Sequence, residues 1–223
     1  HGGETTMMDD RAEGWIWNSP GNYDRWTAAE AGLYYERYND LLDLVVVRCR
    51  VKEGDTVLDI GTGTGELARR FAQNRGCRVV GLDPSAGMIA EAVRKAAQGA
   101  WGEVTFRLVE APFLEIPYAG GTFDAVGSTQ AFHHLHERHK PAAVQEMARV
   151  LRAGGRLALG DPMFRNRAEL EAALGRWPDE LEEEYFAYLE TLEPIFRGAG
   201  LTFHAERLSR INWVVWGYKG GLL

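Results

Sequence analysis

Lysine is scarce in this chain of 223 residues: only 4 of its 25 basic side chains are Lys, and together they are outnumbered by 32 Asp and Glu. The formal net charge of -7 lacks the basic surplus expected of a polyanion binder. Nucleic acid and membrane surfaces are therefore not expected as partners. Cysteine is almost absent. Cys49 falls in a predicted helix and Cys77 at the start of a predicted buried strand, so both are expected as reduced, buried thiols without a disulfide framework. No apolar run reaches the ~18 residues of a membrane-spanning helix, and no stretch has the basic, apolar and small-residue order of an export signal. A cytoplasmic protein is the expectation. Internal repeats and low-complexity tracts are also missing. The hydrophobic content of 45% is enough for a chain of this size to bury a core without disulfides or a structural metal.

What is present is organised around Val57-Leu58-Asp59-Ile60-Gly61-Thr62-Gly63-Thr64-Gly65, followed by Glu66-Leu67-Ala68-Arg69-Arg70-Phe71. An apolar run, three glycines and an amphipathic segment read as strand, tight turn and helix. That arrangement brings backbone N–H groups to a nucleotide-like ligand. Further strands are expected at 77–82, 104–109, 123–128 and 156–160, with helices at about 65–75, 85–98 and 139–152 between them. Five such alternations specify a parallel sheet covered on both faces. Two closing strands are expected at 201–207 and 211–218.

Ligands in such sheets lie beyond the carboxyl ends of the strands. Asp83 stands there, 22 residues after Gly61, where its carboxylate can accept from both ribose hydroxyls. Glu110 and Ser128-Thr129-Gln130 end the next two strands. Singly, these residues are also explained as a helix cap, a solvated turn and a strand cap. As an ordered set they point to a nucleoside ligand.

The chain resembles a class I S-adenosylmethionine-dependent methyltransferase over nearly its whole length. The resemblance is carried by residues 57–65, by Gly81-Leu82-Asp83-Pro84-Ser85 with Met88, by Glu110-Ala111, by Phe123-Asp124-Ala125-Val126 with Phe132-His133-His134-Leu135, and by residues 146–157, where Ala153 replaces the usual Pro. A closer similarity, over residues 128–135 and 181–218, is to small stand-alone bacterial methyltransferases of unassigned substrate. The resemblance implies an α/β, Rossmann-like, seven-stranded, mostly parallel sheet, as one domain over 14–223. It would carry an N-terminal helical cap at 14–50 and a helical insertion at 166–199, with residues 1–13 disordered. It implies S-adenosylmethionine as cofactor and a small-molecule acceptor, methylated by in-line displacement.

Residue by residue, Gly61, Thr62 and Gly63 would let the methionyl part of the donor approach the backbone. Asp83 would hold the ribose, Pro84 and Met88 would lie beside the adenine, and Glu110 and Ala111 would meet its amine. Ser128 or Thr129 would face the methionine ammonium, with Asp59 assisting electrostatically. The segment 14–38 is dense in aromatics (Trp15, Trp17, Tyr23, Trp26, Tyr34, Tyr35 and Tyr38), which serve either as packing or as a flap. From a flap, Tyr23 or Trp26 would meet the sulfonium by cation–π contact, worth ~0.5–2 kcal/mol. Residues 27–49 are expected as one helix.

Four histidines, His133, His134, His136 and His139, fall within seven residues. No Cys or Asp joins them at ligand spacing, so no metal site is expected. His133 or His134 serves either as a base or in orienting the acceptor, or else in packing or as a lid, and 136–140 is expected as a polar solvated turn. The run Asp179-Glu180 and Glu182-Glu183-Glu184 is either a solvated helix face or an acidic rim for a cationic acceptor. The acceptor itself, and a monomeric or homodimeric state, are left open. The Asn/Asp-Pro-Pro-Tyr signature of nucleic-acid amine methylation, a multi-thiol set and a Mg-binding carboxylate set are all missing. Two rivals stand beside this reading. A cofactor-binding module without catalysis is one. The other is an NAD(P)-dependent oxidoreductase, disfavoured by the tight glycine spacing and the lack of a Tyr-x-x-x-Lys pair.

Overall fold

Five parallel strands begin the sheet, and three of the four connections between them are a turn and an amphipathic helix. A computed structural model describes residues 19–182 and 184–220. The expectations for residues 1–13, for Trp15 and Trp17, and for Glu183 lie outside them. The strands are β1 (Thr56–Ile60), β2 (Arg78–Asp83), β3 (Val104–Leu108), β4 (Phe123–Thr129) and β5 (Leu151–Phe164). Between them run α3 (Glu66–Arg75), α4 (Ala86–Gly99) and α5 (Lys140–Val150), preceded by α1 (Pro20–Ala28) and α2 (Tyr38–Cys49). After β5 come α6 (Arg167–Arg176), β6 (Ala187–Tyr188), α7 (Leu189–Gly198), β7 (His204–Arg207) and β8 (Asn212–Tyr218).

The strand order is β3-β2-β1-β4-β5-β8-β7. Only β8 runs antiparallel to its neighbours, between β5 and β7. From β1 the chain winds outward through β2 and β3, then returns to start β4 on the other side of β1. That reversal opens a crevice at the carboxyl ends of β1 and β4, where open α/β sheets place ligands. Neighbouring residues of β1 serve opposite faces. Leu58 and Ile60 pack into a core with α5 and α7, while Val57 joins α2 and α3.

The sheet has eight strands rather than the seven expected. The extra one is β6, whose two residues pair with Met163 and Phe164. β5 continues past Gly160 and leaves backbone groups there for another segment to bond, so the chain at 187–188 is extended where a helix was expected. Phe186, just before it, joins Leu33, Phe164, Leu170, Leu181 and Ile211 in a third, smaller core.

The single helix expected over 27–49 is two helices, because residues 29–37 form turns. Glu30, Gly32 and Arg37 all have positive φ. The cause is non-local. Gln130 Nε2 donates to the Tyr34 carbonyl at 2.7 Å, and Asn212 Nδ2 donates to the same carbonyl at 3.0 Å and to that of Glu36 at 3.3 Å. Amides from β8 and from the end of β4 thus satisfy carbonyls that a helix would have used itself. The turn holds Tyr34 and Tyr35 over the crevice.

Candidate functional site

Glycine at 61, 63 and 65 answers a backbone requirement, since all three have positive φ. The first two amides of the loop are anchored: Gly61 N and Thr62 N both donate to the Leu82 carbonyl, at 2.8 and 3.0 Å. Gly63 N donates to Asp83 Oδ2 at 2.9 Å. A Cβ on Gly61 would sit 2.4 Å from the Cβ of Ala131, and one on Gly63 would meet the Tyr23 ring at 3.8 Å. The loop is therefore closed in by the segment after β4 on one side and by α1 on the other.

Asp83 ends β2. Its Oδ1 accepts from Ser85 N at 2.9 Å, and burial raises its pKa. Two amides occupy two of the roughly four lone-pair sites of a carboxylate, which leaves acceptors for hydroxyl donors. Asp83, Gly61 and Gly63 line a cleft of about 750 Å³ including its open mouth. Pro84 and Met88 line it beside them, as do Glu110 and Ala111. Its remaining wall includes Tyr23, Gln130 and His134. Phe113, Leu114, Ala131 and Leu135 also line it and were not anticipated. The first two directly follow Glu110-Ala111-Pro112, so that strand tip already marked them.

Four expected residues lie behind the wall. Ser128 is buried, and its hydroxyl donates to the Ile60 carbonyl at 2.7 Å, tying β4 to the tip of β1. Thr129 is also buried. Thr62 donates from Oγ1 to Asp59 Oδ2 at 2.7 Å. Asp59 is wholly buried, its Oδ1 has no hydrogen-bond partner among the described residues, and burial, with the charge of Asp83 added, pushes its pKa up to about 7.

That shift has a stability consequence. Unfolded, an Asp titrates near 3.9, so between there and about 7 the native state holds the extra proton, and stability falls as pH rises. Asp59→Asn removes this dependence. In thermal melts without donor, the melting temperature of the variant relative to the parent is expected to climb between pH 4 and pH 8, reflecting on the order of a few kcal/mol. A difference independent of pH would show that Asp59 is not charged at the expense of the fold.

α1 lies across the loop as a flap. Thr64 Oγ1 donates to Asp24 Oδ1 at 2.6 Å, and Lys95 Nζ bridges Asp24 and Glu66 at 3.1 and 2.9 Å. Tyr23 hydrogen-bonds the Tyr38 hydroxyl at 3.0 Å and meets Tyr35 edge-on.

Tyr23, Gln130 and His134 also line a second cavity of about 1270 Å³ including its mouth. Trp26, Tyr34, Tyr35 and His133 form more of its wall, and Asp179, Glu180, Glu182 and Glu184 its acidic side. The two cavities thus share three side chains. His133 and His134 sit in a 3₁₀ turn at 132–134, with ring centres 4.0 Å apart. His133 is buried, and its Nδ1 lies 2.9 Å from Asp161 Oδ1. A carboxylate only accepts, so Nδ1 carries the hydrogen, and in the neutral ring Nε2 is the nitrogen with the lone pair. Asp161, in β5 just beyond the parallel register, was not anticipated. Burial, then His133 and Lys140, hold the His134 imidazole well below its usual range and therefore neutral.

The turn at 136–140 is not wholly solvated as expected, because Lys140 is buried. Its ammonium donates to the carbonyls of Phe132 and Leu135 at 2.9 and 2.7 Å and lies over the Phe132 ring. It thereby clamps both sides of the histidine turn. Burial lowers its pKa to about 8. Among the described residues no group of three His, Cys, Asp or Glu is placed to hold a metal ion. No helix there is long and apolar enough to cross a membrane.

A glycine loop after β1, an acid ending β2 and a cleft at the β1/β4 switch define a Rossmann-like nucleoside-binding protein of the class I methyltransferase fold. Residues 57–155 match the family described as a methyltransferase domain. An uncharacterized methyltransferase of Geobacillus thermodenitrificans is 31% identical over 193 residues, covering 82% of this chain and 86% of its own. Among solved structures, a SAM-dependent methyltransferase from Aquifex aeolicus is similar with a TM-score of 0.67 at 19% identity, over 92% of this chain and 98% of that one. A phosphoethanolamine N-methyltransferase of Haemonchus contortus, in complex with phosphomonomethylethanolamine and S-adenosylhomocysteine, is similar with a TM-score of 0.72 at 17% identity. It is covered over 58% of its length and covers 91% of this chain. These last two likenesses are of fold. The chain belongs to the S-adenosylmethionine-dependent methyltransferases.

Proposed function

We propose that this enzyme methylates a small molecule held in the second cavity, with the donor in the first and His133 as the base. The single observation that carries this reading is that the two cavities meet at Tyr23, Gln130 and His134. Methyl transfer needs acceptor, carbon and sulfur in line, and such positioning is worth ~7–11 kcal/mol in favourable systems. Two chambers sharing a wall supply that alignment.

The residues fit the donor. Gly61 and Gly63 form a cradle with no side chains, and Asp83 keeps lone pairs for the ribose hydroxyls. Pro84 and Met88 flank the adenine, and Glu110 with Ala111 receives its amine. Behind the wall, Ser128 ties β4 to the tip of β1 and so holds the cleft in shape, and Asp59, once ionised, favours the cationic donor from behind the loop. The bound donor supplies a methyl group on a positively charged sulfur. Tyr23 places an aromatic face beside that charge, and the neutral His134 adds no like charge to it. Gln130 and His134 orient the acceptor, and His133 Nε2 takes its proton.

The test uses labelled methyl donor and a cell extract divided by ultrafiltration at a cut-off of a few kilodaltons. Label is expected in the low-molecular-weight fraction. Incorporation confined to retained protein or nucleic acid would overturn the small-molecule reading.

A further inference from the structure

The second cavity has one sign of charge. Its carboxylates are Asp179, Glu180, Glu182 and Glu184, and no Arg or Lys lines it among the described residues. Several surface acids elsewhere are paired with arginine, among them Glu36 with Arg210, Glu91 with Arg94, and Glu169 with both Arg165 and Arg207. Asp179, Glu180 and Glu182 form no ion pair among the described residues. An acidic helix face would tolerate that, but these residues precede β6 in extended and turn conformation and border a cavity.

Two further observations point to a ligand rather than to solvent. Trp26 is 39% exposed although it is a large apolar ring, and with Tyr34 and Tyr35 it gives the cavity the aromatic walls that attract an organic cation. His133 is only 4% exposed, lines the same cavity, and has no hydrogen-bond partner on Nε2 among the described residues. A base is wasted on an acceptor that is already nucleophilic. It is required for an ammonium, which has no lone pair until a proton leaves.

Building on the acceptor site proposed above, we infer that the substrate is a cationic primary or secondary amine with an apolar or aromatic body and no anionic group, methylated on nitrogen. The ammonium passes one proton to His133 Nε2, and the imidazolium formed is stabilised by Asp161. The freed nitrogen lone pair forms the N–CH₃ bond as the CH₃–S bond breaks, and that electron pair stays on sulfur, leaving the neutral thioether S-adenosylhomocysteine. The product is a methylated ammonium, and His133 returns its proton to solvent. A phosphate or carboxylate on the acceptor would meet Asp179, Glu180 and Glu182, with no Arg or Lys among the described residues that line the cavity.

Calorimetry on protein saturated with S-adenosylhomocysteine tests this with three probes of one shape: tyramine, the neutral 4-ethylphenol, and tyrosine, which adds a carboxylate. Tyramine is expected to bind about tenfold more tightly than 4-ethylphenol, with tyrosine weakest. The preference should shrink severalfold in 0.5 M salt, which shortens the screening length to ~4 Å. It should shrink likewise in the triple variant Asp179→Asn, Glu180→Gln, Glu182→Gln, whose three sites are exposed. Equal or tighter binding of 4-ethylphenol or tyrosine overturns the amine but leaves the acceptor site standing. Failure of all three probes, in protein that binds S-adenosylhomocysteine, overturns the amine and the acceptor site together. Failure to bind S-adenosylhomocysteine at all would instead overturn the placement of the donor.

Discussion

Alanine at Gly61 is expected to remove measurable binding of S-adenosylhomocysteine. The residue has a φ of 68°, and an L side chain there costs ~1–2 kcal/mol through its own backbone. The larger effect is steric. A Cβ would lie 2.4 Å from the Cβ of Ala131, and neither atom is the free end of a flexible chain. Either the loop or the segment after β4 must move. Both carry the cleft: the loop is bonded to Leu82 and borders Asp83, and Ala131 lies between Gln130 and the histidine turn. We expect affinity to fall by about a hundredfold or more, equivalent to ~3 kcal/mol, with a lowered melting temperature. Gly63→Ala separates strain from collision, because its φ is also positive but a Cβ would find only ordinary contact with Tyr23 at 3.8 Å. Its loss should be about tenfold. Equal losses in the two variants would assign the effect to backbone strain, and normal binding by Gly61→Ala would remove the donor from this cleft.

The residues whose roles depend on local order were legible in the sequence. β1, its glycine turn and α3 follow one another within about 20 residues, so their periodicity, the turn and Asp83 at the next strand end could all be read directly. What escaped was set by contacts distant in sequence. The turn at 29–37 exists because Gln130 and Asn212 take its carbonyls, and no local pattern carries that information. Lys140 reads as one more polar residue after Arg138 and His139, yet the carbonyls of Phe132 and Leu135 draw its ammonium inside. The second cavity joins α1, the turn before α2, the segment after β4 and the acids Asp179, Glu180, Glu182 and Glu184, four stretches with nothing in common along the chain. Asp161 is a different case. The rule that singled out Asp83, a carboxylate where a strand of the parallel sheet stops, applies equally to Gly160-Asp161-Pro162. It was obscured because β5 runs on to Phe164 against β8 and β6 instead of stopping.

His133→Asn is expected to lower kcat by ~10²–10⁴, the range spanned by loss of a positioned base, with donor affinity unchanged because His133 lines only the second cavity. The acceptor to use is whichever small molecule the labelled fraction yields. Asp161→Asn distinguishes positioning from packing. Asp161 does not line either cavity, and among the described residues the only hydrogen bond of its side chain is to His133 Nδ1. Its other oxygen is buried without a partner among the described residues, so removing the charge costs the fold little. What it removes is the stabilisation of the imidazolium, which makes Nε2 a weaker base. The plateau of kcat should fall by about ten- to a hundredfold, and the acidic limb of its pH profile should move to lower pH. KM for the donor should stay constant. A variant that merely loosened the turn would melt lower and leave that limb where it was. His134→Asn should cost less, since the neutral ring of His134 orients rather than takes a proton. If His133→Asn instead keeps its rate within a few-fold and its pH profile unaltered, the proton leaves by another route, and the His133–Asp161 pair is part of the packing beneath Tyr34 and Phe186.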